Sequence, residues 1–150
     1  MFLKKLVVFC CCFISFTLVA QQKEYELIVP NLENPWGFVF LPDNALLINE
    51  KSGKIIHFKN GVKTTIKNGP EIYLRGQGGL LDIALHPKYK ENGWIYFTYA
   101  SSIGEGRGGN TTLMRAKLKG DALVYKEMLY KAVPNSNRGQ HFGSRIAFDV

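Results

Sequence analysis

The sequence predicts an all-β fold: about two blades of a β-propeller and the beginning of a third. Three observations predict it. Short apolar or alternating stretches are separated by Pro, Gly and Asn turns; a set of four such stretches restarts about 45 residues on, the distance from Pro42 to Pro87; and no amphipathic helix interrupts them after the N-terminal run. Four antiparallel strands recurring at that length form a blade. A β-sandwich is the alternative all-β reading, but its strands do not usually recur as an ordered set of four.

The elements follow in order. Residues 1–20 form a secretory signal peptide: Lys4 and Lys5 lead a 15-residue uncharged apolar run, Leu6 to Ala20, and the chain then turns polar at Gln21. The run is shorter than the roughly 20 residues of a membrane-spanning helix, and an uncleaved N-terminal anchor is the other reading. The remainder, 21–150, is expected as part of one propeller domain, exported to the periplasm or outside the cell, with no membrane segment once the signal is removed. Glu24 to Val29 alternates polar with apolar and predicts a half-buried strand. Trp36–Leu41, Ala45–Asn49, Lys54–Phe58 and Val62–Ile66 predict the first blade, with Asn60-Gly61 as a strong hairpin turn. Leu80–Leu85, Trp94–Ala100, Thr111–Leu118 and Leu123–Val133 predict the second. Ser101 to Asn110, rich in Gly and Ser, reads as an exposed loop inside it. Ser144–Val150 starts like a third inner strand, so the expectation is the N-terminal part of a longer protein, with no activity by itself.

Charge and cysteine content narrow the function. Without Lys4 and Lys5, 17 of the 19 basic residues remain against 12 acidic ones, a surplus of five scattered through the strands. No dense basic block and no aromatic-basic pattern supports nucleic-acid binding. Cys10, Cys11 and Cys12 all lie in the apolar run, so the remainder has neither disulfide nor thiolate chemistry. Phosphate-loop, Ser-His-Asp and metal-ligand spacings are missing from the sequence.

Two polar constellations stand out. In Arg75-Gly76-Gln77-Gly78-Gly79-Leu80-Leu81-Asp82, three glycines surround Gln77 immediately before a buried strand. Gln77 either points at a ligand or satisfies the loop's own backbone. Gly139-Gln140-His141-Phe142-Gly143-Ser144-Arg145 occupies the matching place before the third-unit strand. Loops leading into successive inner strands gather at one end of a propeller's channel, so Gln77 and His141 can share a pocket. His141 is either a general base, having a pKa near neutrality, or a loop histidine bonded to backbone. Arg145 reads as a structural ion-pair or carbonyl-binding residue, and His57 and His86 as structural.

These segments, with Asn34-Pro35-Trp36-Gly37-Phe38 through Leu41-Pro42-Asp43, resemble the glucose/sorbosone dehydrogenases, the soluble sugar dehydrogenases that use pyrroloquinoline quinone (PQQ). The resemblance runs from about Leu27 onward. It implies a six-bladed propeller holding PQQ and calcium, whose main ligands lie beyond this chain, so no metal ligand is named here. It implies that His141 takes the proton from the anomeric hydroxyl of an aldose as hydride passes to the quinone, and that Gln77 binds substrate or cofactor beside it. An external electron acceptor is the implied partner. Glucose-oxidising members carry an acidic residue before the histidine; here Gln140 stands there, which fits the broader aldose-oxidising branch. A secreted, non-catalytic propeller that binds without turnover is the alternative. A lactonase propeller would need acidic and amide ligands facing the channel, and no such set is evident.

Overall fold

The computed structural model describes residues 25–149; the signal-peptide assignment and the three cysteines lie outside them. Two four-stranded antiparallel sheets follow each other, each a meander in sequence order. The first holds β1 (Pro35–Phe40), β2 (Leu46–Glu50), β3 (Ile55–Lys59) and β4 (Val62–Ile66). The second holds β5 (Leu80–Leu85), β6 (Trp94–Ser101), β7 (Asn110–Lys119) and β8 (Ala122–Lys131). They are the two expected blades, with strand limits within two residues of those read from the turns.

The blades pack face to face around one core. Leu47, Ile55 and Ile66 of the first meet Leu80, Ile95 and Phe97 of the second, and all are buried. Completely burying side chains of this size contributes roughly 1.5–3 kcal/mol each. β1 packs closely across β5: a Cβ on Gly37 would stand 3.4 Å from the Leu81 carbonyl oxygen. The blades are joined at two places. On the inner side, Leu80 N–H donates to the Lys51 carbonyl (3.0 Å) and Asn49 Nδ2 to the Asp82 carbonyl (3.4 Å). On the outer side, Lys67 N–H donates to Asp121 O (2.8 Å) and Leu123 N–H to Lys67 O (3.0 Å), a parallel bridge flanked by a 2.7 Å Lys67–Asp121 ion pair.

Three expectations change. The strand at 24–29 does not form in its described part: Tyr25 and Leu27 are exposed, and Val29 and Leu32 instead cover Leu46, Ile48 and Ile56 on the outer face of the first blade. Alternation alone cannot make a strand without a ladder to join. The β5–β6 connection contains a single turn of helix, α1 (Tyr89–Asn92), closed by Gly93 in the left-handed conformation at φ 69°. Four residues are too few to show a helical period. In β1, Trp36, Phe38 and Phe40 share an exposed face. Finally, 144–149 forms no ladder, although its exposure still alternates. It is docked on the second blade: Thr98 Oγ1 donates to the Ser144 carbonyl (2.7 Å), and the Phe148 ring meets Tyr96 edge-on at 5.1 Å.

Candidate functional site

The turn between β2 and β3, the loop before β5, the β6–β7 loop and the segment 132–143 gather at one end of the blades. Their backbones are cross-linked. Lys51 Nζ donates to the Gly76 carbonyl (2.6 Å), Gln77 N–H to the Gly139 carbonyl (2.8 Å), and Gly109 and Ser136 exchange bonds of 3.1 and 3.0 Å. Gly76 and Gly79 permit this approach. Both have positive φ (56° and 152°), and a Cβ would run into the Gly139 carbonyl at the first and the Lys51 carbonyl at the second.

Gln77 and His141 meet here. Gln77 Oε1 accepts the His141 backbone N–H at 2.9 Å, a contact spanning 64 residues. His141 adopts φ 61°, the left-handed region that a non-glycine residue enters only when its surroundings hold it. The Gln77 Nε2 amide and the His141 ring hydrogen-bond to no other described residue, and both residues are exposed. Gln77 Oε1 thus serves backbone, that of the His141 segment rather than of its own loop. Gln140, next to His141, is exposed too.

Beneath the pair lies Asp82, to which the sequence reading assigned no role. Its carboxylate is almost wholly buried; Oδ1 accepts from Arg145 (2.8 Å) and Oδ2 from the Ile146 backbone N–H (2.7 Å). Arg145 is thus the structural ion-pair residue its position suggested. The Asp82 backbone N–H donates to Thr98 Oγ1 (3.1 Å), the hydroxyl that holds Ser144. Asp82 and Thr98 so fix the chain just after His141. The signal for Asp82 was present: it is the one charged residue in the apolar run from Leu80 to Leu85, and a buried carboxylate must find partners.

A cleft of about 300 Å³ opens at the same end between Glu33, Asn34, Lys51, Ser52 and Leu74. Neither Gln77 nor His141 lines it. A larger groove of about 480 Å³ lies at the opposite end, between Phe40, Pro42, Leu85 and Tyr89. His86 borders that groove but is engaged locally: its Nδ1 accepts the Lys88 backbone N–H (2.9 Å) and lies 2.8 Å from Asn92 Nδ2. His57 sits within β3, paired with Leu47 and Thr64. No group of three His, Cys, Asp or Glu residues able to hold a metal occurs among the described residues.

Two propeller blades whose inner loops bring Gln77 and His141 together at one end are the class of scaffold the fold defines. The family described as Glucose / Sorbosone dehydrogenase matches residues 32–150, and the chain belongs to it. It is 30% identical over 129 residues to the aldose sugar dehydrogenase YliI of Escherichia coli, covering 83% of this chain and 34% of that protein. The crystal structure of the soluble aldose sugar dehydrogenase of Escherichia coli in its apo form superposes with a TM-score of 0.72 at 29% identity, over 78% of this chain and 35% of that one. The PQQ-bound aldose sugar dehydrogenase of Streptomyces coelicolor superposes at 0.66 and 26% identity, over 80% and 36%. The chain spans about a third of the length of the curated relatives it matches.

Proposed function

We propose that the whole protein is an exported, PQQ-dependent aldose dehydrogenase and that His141 is its general base. The observation that carries the reading is the Gln77–His141 contact, which joins two exposed residues, one bearing an imidazole and one an amide, at the end where the inner loops gather. Family membership and the PQQ-bound relative support the cofactor.

The residues present fit one flank of such a cofactor. Gly76, Gly78 and Gly79 put no side chain over the loop, and Gln77 Nε2 is open to a carbonyl, carboxylate or sugar hydroxyl. When bound, the quinone supplies the two-electron acceptor that no side chain provides. His141 takes the proton from the anomeric hydroxyl, and its fixed backbone keeps the ring in place for that transfer. Gln77 performs two tasks, holding the His141 backbone through Oε1 and orienting the bound group through Nε2. Calcium is part of the same proposal, with its ligands assigned to the rest of the protein. So is a six-bladed ring, of which this chain supplies two blades.

The test is aldose oxidation by the whole protein supplied with PQQ and calcium, read with an artificial electron acceptor. Wild type turns over, and His141→Ala falls by at least about 100-fold, the loss typical of removing a general base, while keeping its fold. A His141→Ala protein with normal turnover removes the base assignment. Sugar binding without any turnover in the loaded wild type favours the non-catalytic propeller. The 150-residue chain alone is expected to show no turnover.

A further inference from the structure

The side chain of Lys131, at the end of β8, lies in a cage of neutral oxygens. Its Nζ is 2.8 Å from Asn135 Oδ1, 3.2 Å from the Ser101 and Asn110 carbonyls and 3.4 Å from the Ala132 carbonyl. Ser101 ends β6 and Asn110 begins β7, so the ammonium spans the mouth of the loop between them. No carboxylate of the described residues pairs with it, and burial pushes its pKa below the usual lysine range. Four carbonyl dipoles therefore hold the charge by hydrogen bonding alone.

Asn135 completes the assembly. Its Nδ2 donates to the Ser102 carbonyl (3.0 Å) and the Gly106 carbonyl (3.4 Å), its backbone N–H to the Glu105 carbonyl (2.9 Å), and Asn110 Nδ2 to the Pro134 carbonyl (2.7 Å). The Gly109–Ser136 pair closes the far side. Three residues beyond Ser136 is Gly139, whose carbonyl receives Gln77 N–H. The β6–β7 loop is thus stitched to the segment that leads into His141.

We propose that Lys131 is a positioning residue for His141: its ammonium, with the Asn135 side chain, locks the 102–109 loop and the 132–138 segment into one body that presents His141 to Gln77. The proposal rests on the reading of His141 as the base. It makes the Gly-rich loop a wall of the site, moving with the catalytic segment.

The test is hydrogen–deuterium exchange on the whole protein carrying Lys131→Met, with kinetics alongside. Amides in both 102–109 and 136–141 are expected to exchange roughly tenfold faster, the factor that loss of one or two hydrogen bonds gives. The kcat for aldose oxidation by the PQQ-loaded protein falls about tenfold, as a displaced base requires, and exchange in β5–β7 is unchanged. Faster exchange confined to 102–109, or an unaltered kcat, overturns the proposal. Should Lys131→Met not fold, Asn135→Ala removes the Lys131–Asn135 link and the bonds of Asn135 Nδ2 to Ser102 and Gly106, and must give the same paired response. His141→Ala separates the two readings: normal turnover there removes the base assignment and leaves the exchange result to decide the tether.

Discussion

Gln77 Oε1 receives the backbone N–H of His141 at 2.9 Å, so the side chain of one loop fixes the backbone of another in a left-handed conformation. The carboxamide is suited to this because one end accepts from His141 while the other stays a donor. Gln77→Glu keeps the acceptor and loses the donor; Gln77→Leu loses both. The expected outcome is that Gln77→Glu preserves slow exchange at the His141 amide, whereas Gln77→Leu accelerates it roughly tenfold. Equal exchange in the two variants would show that the contact does not hold the loop.

Gly79 leaves no room for a side chain. At φ 152° its added Cβ would meet the Lys51 carbonyl, which is itself accepting the Leu80 N–H. Gly79→Ala combines backbone strain with displacement of an inter-blade hydrogen bond. We expect a loss of at least about 2 kcal/mol in denaturant unfolding of the whole protein. Gly120, where the added atom meets nothing within 4 Å, is the matched control. Its φ of 60° still makes Gly120→Ala cost about 1 kcal/mol.

Asp82 ties the strand β5 to the chain after His141. Asp82→Ala removes the acceptors of Arg145 and of the Ile146 N–H, and is expected to cost about 2–3 kcal/mol, in the range of hydrogen bonds to a charged group. Asp82→Asn retains one carbonyl oxygen and is milder. In crystals of Asp82→Ala the 144–148 segment should lift from Thr98 and Tyr96. An undisturbed segment would refute the tie.

The outer ion pair responds to acid. Lys67, by hydrogen bond first and by charge second, holds the Asp121 carboxyl below its ordinary value of 3.8. The folded pKa is the lower one, so the pair's contribution is present above the ordinary value and is lost as pH falls through the depressed one. Both groups are largely exposed, and the effect weakens with salt. Lys67→Met should return Asp121 toward 3.8 in an NMR titration; no movement would contradict the pairing.

The blades were legible because their turns carry chemistry that single residues reveal. Asn60 takes φ 50° and Gly61 φ 78°, the positive pair that an Asn-Gly hairpin demands, and Val62–Ile66 begins where the turn ends. The meeting of Gln77 with His141 was legible only through the repeat, which placed both before inner strands. Tyr25 to Val29 misled because alternation records a possible strand, whereas a ladder needs a neighbour. Asp82 announced its need for partners but not their identity. Lys131 announced nothing: a lysine at the end of an exposed edge strand looks solvated, and its four oxygens come from Ser101, Asn110, Ala132 and Asn135.

Because Lys51 and Asn49 bind the second blade at the axis while Lys67 binds it at the periphery, the two sheets are fastened like a leaf sewn at the spine and pasted at the fore-edge. Neither can swing against its neighbour without tearing one seam. Any opening over this end must therefore come from the loops above the sheets, and the rate at which they part is the property through which variation can tune such a scaffold.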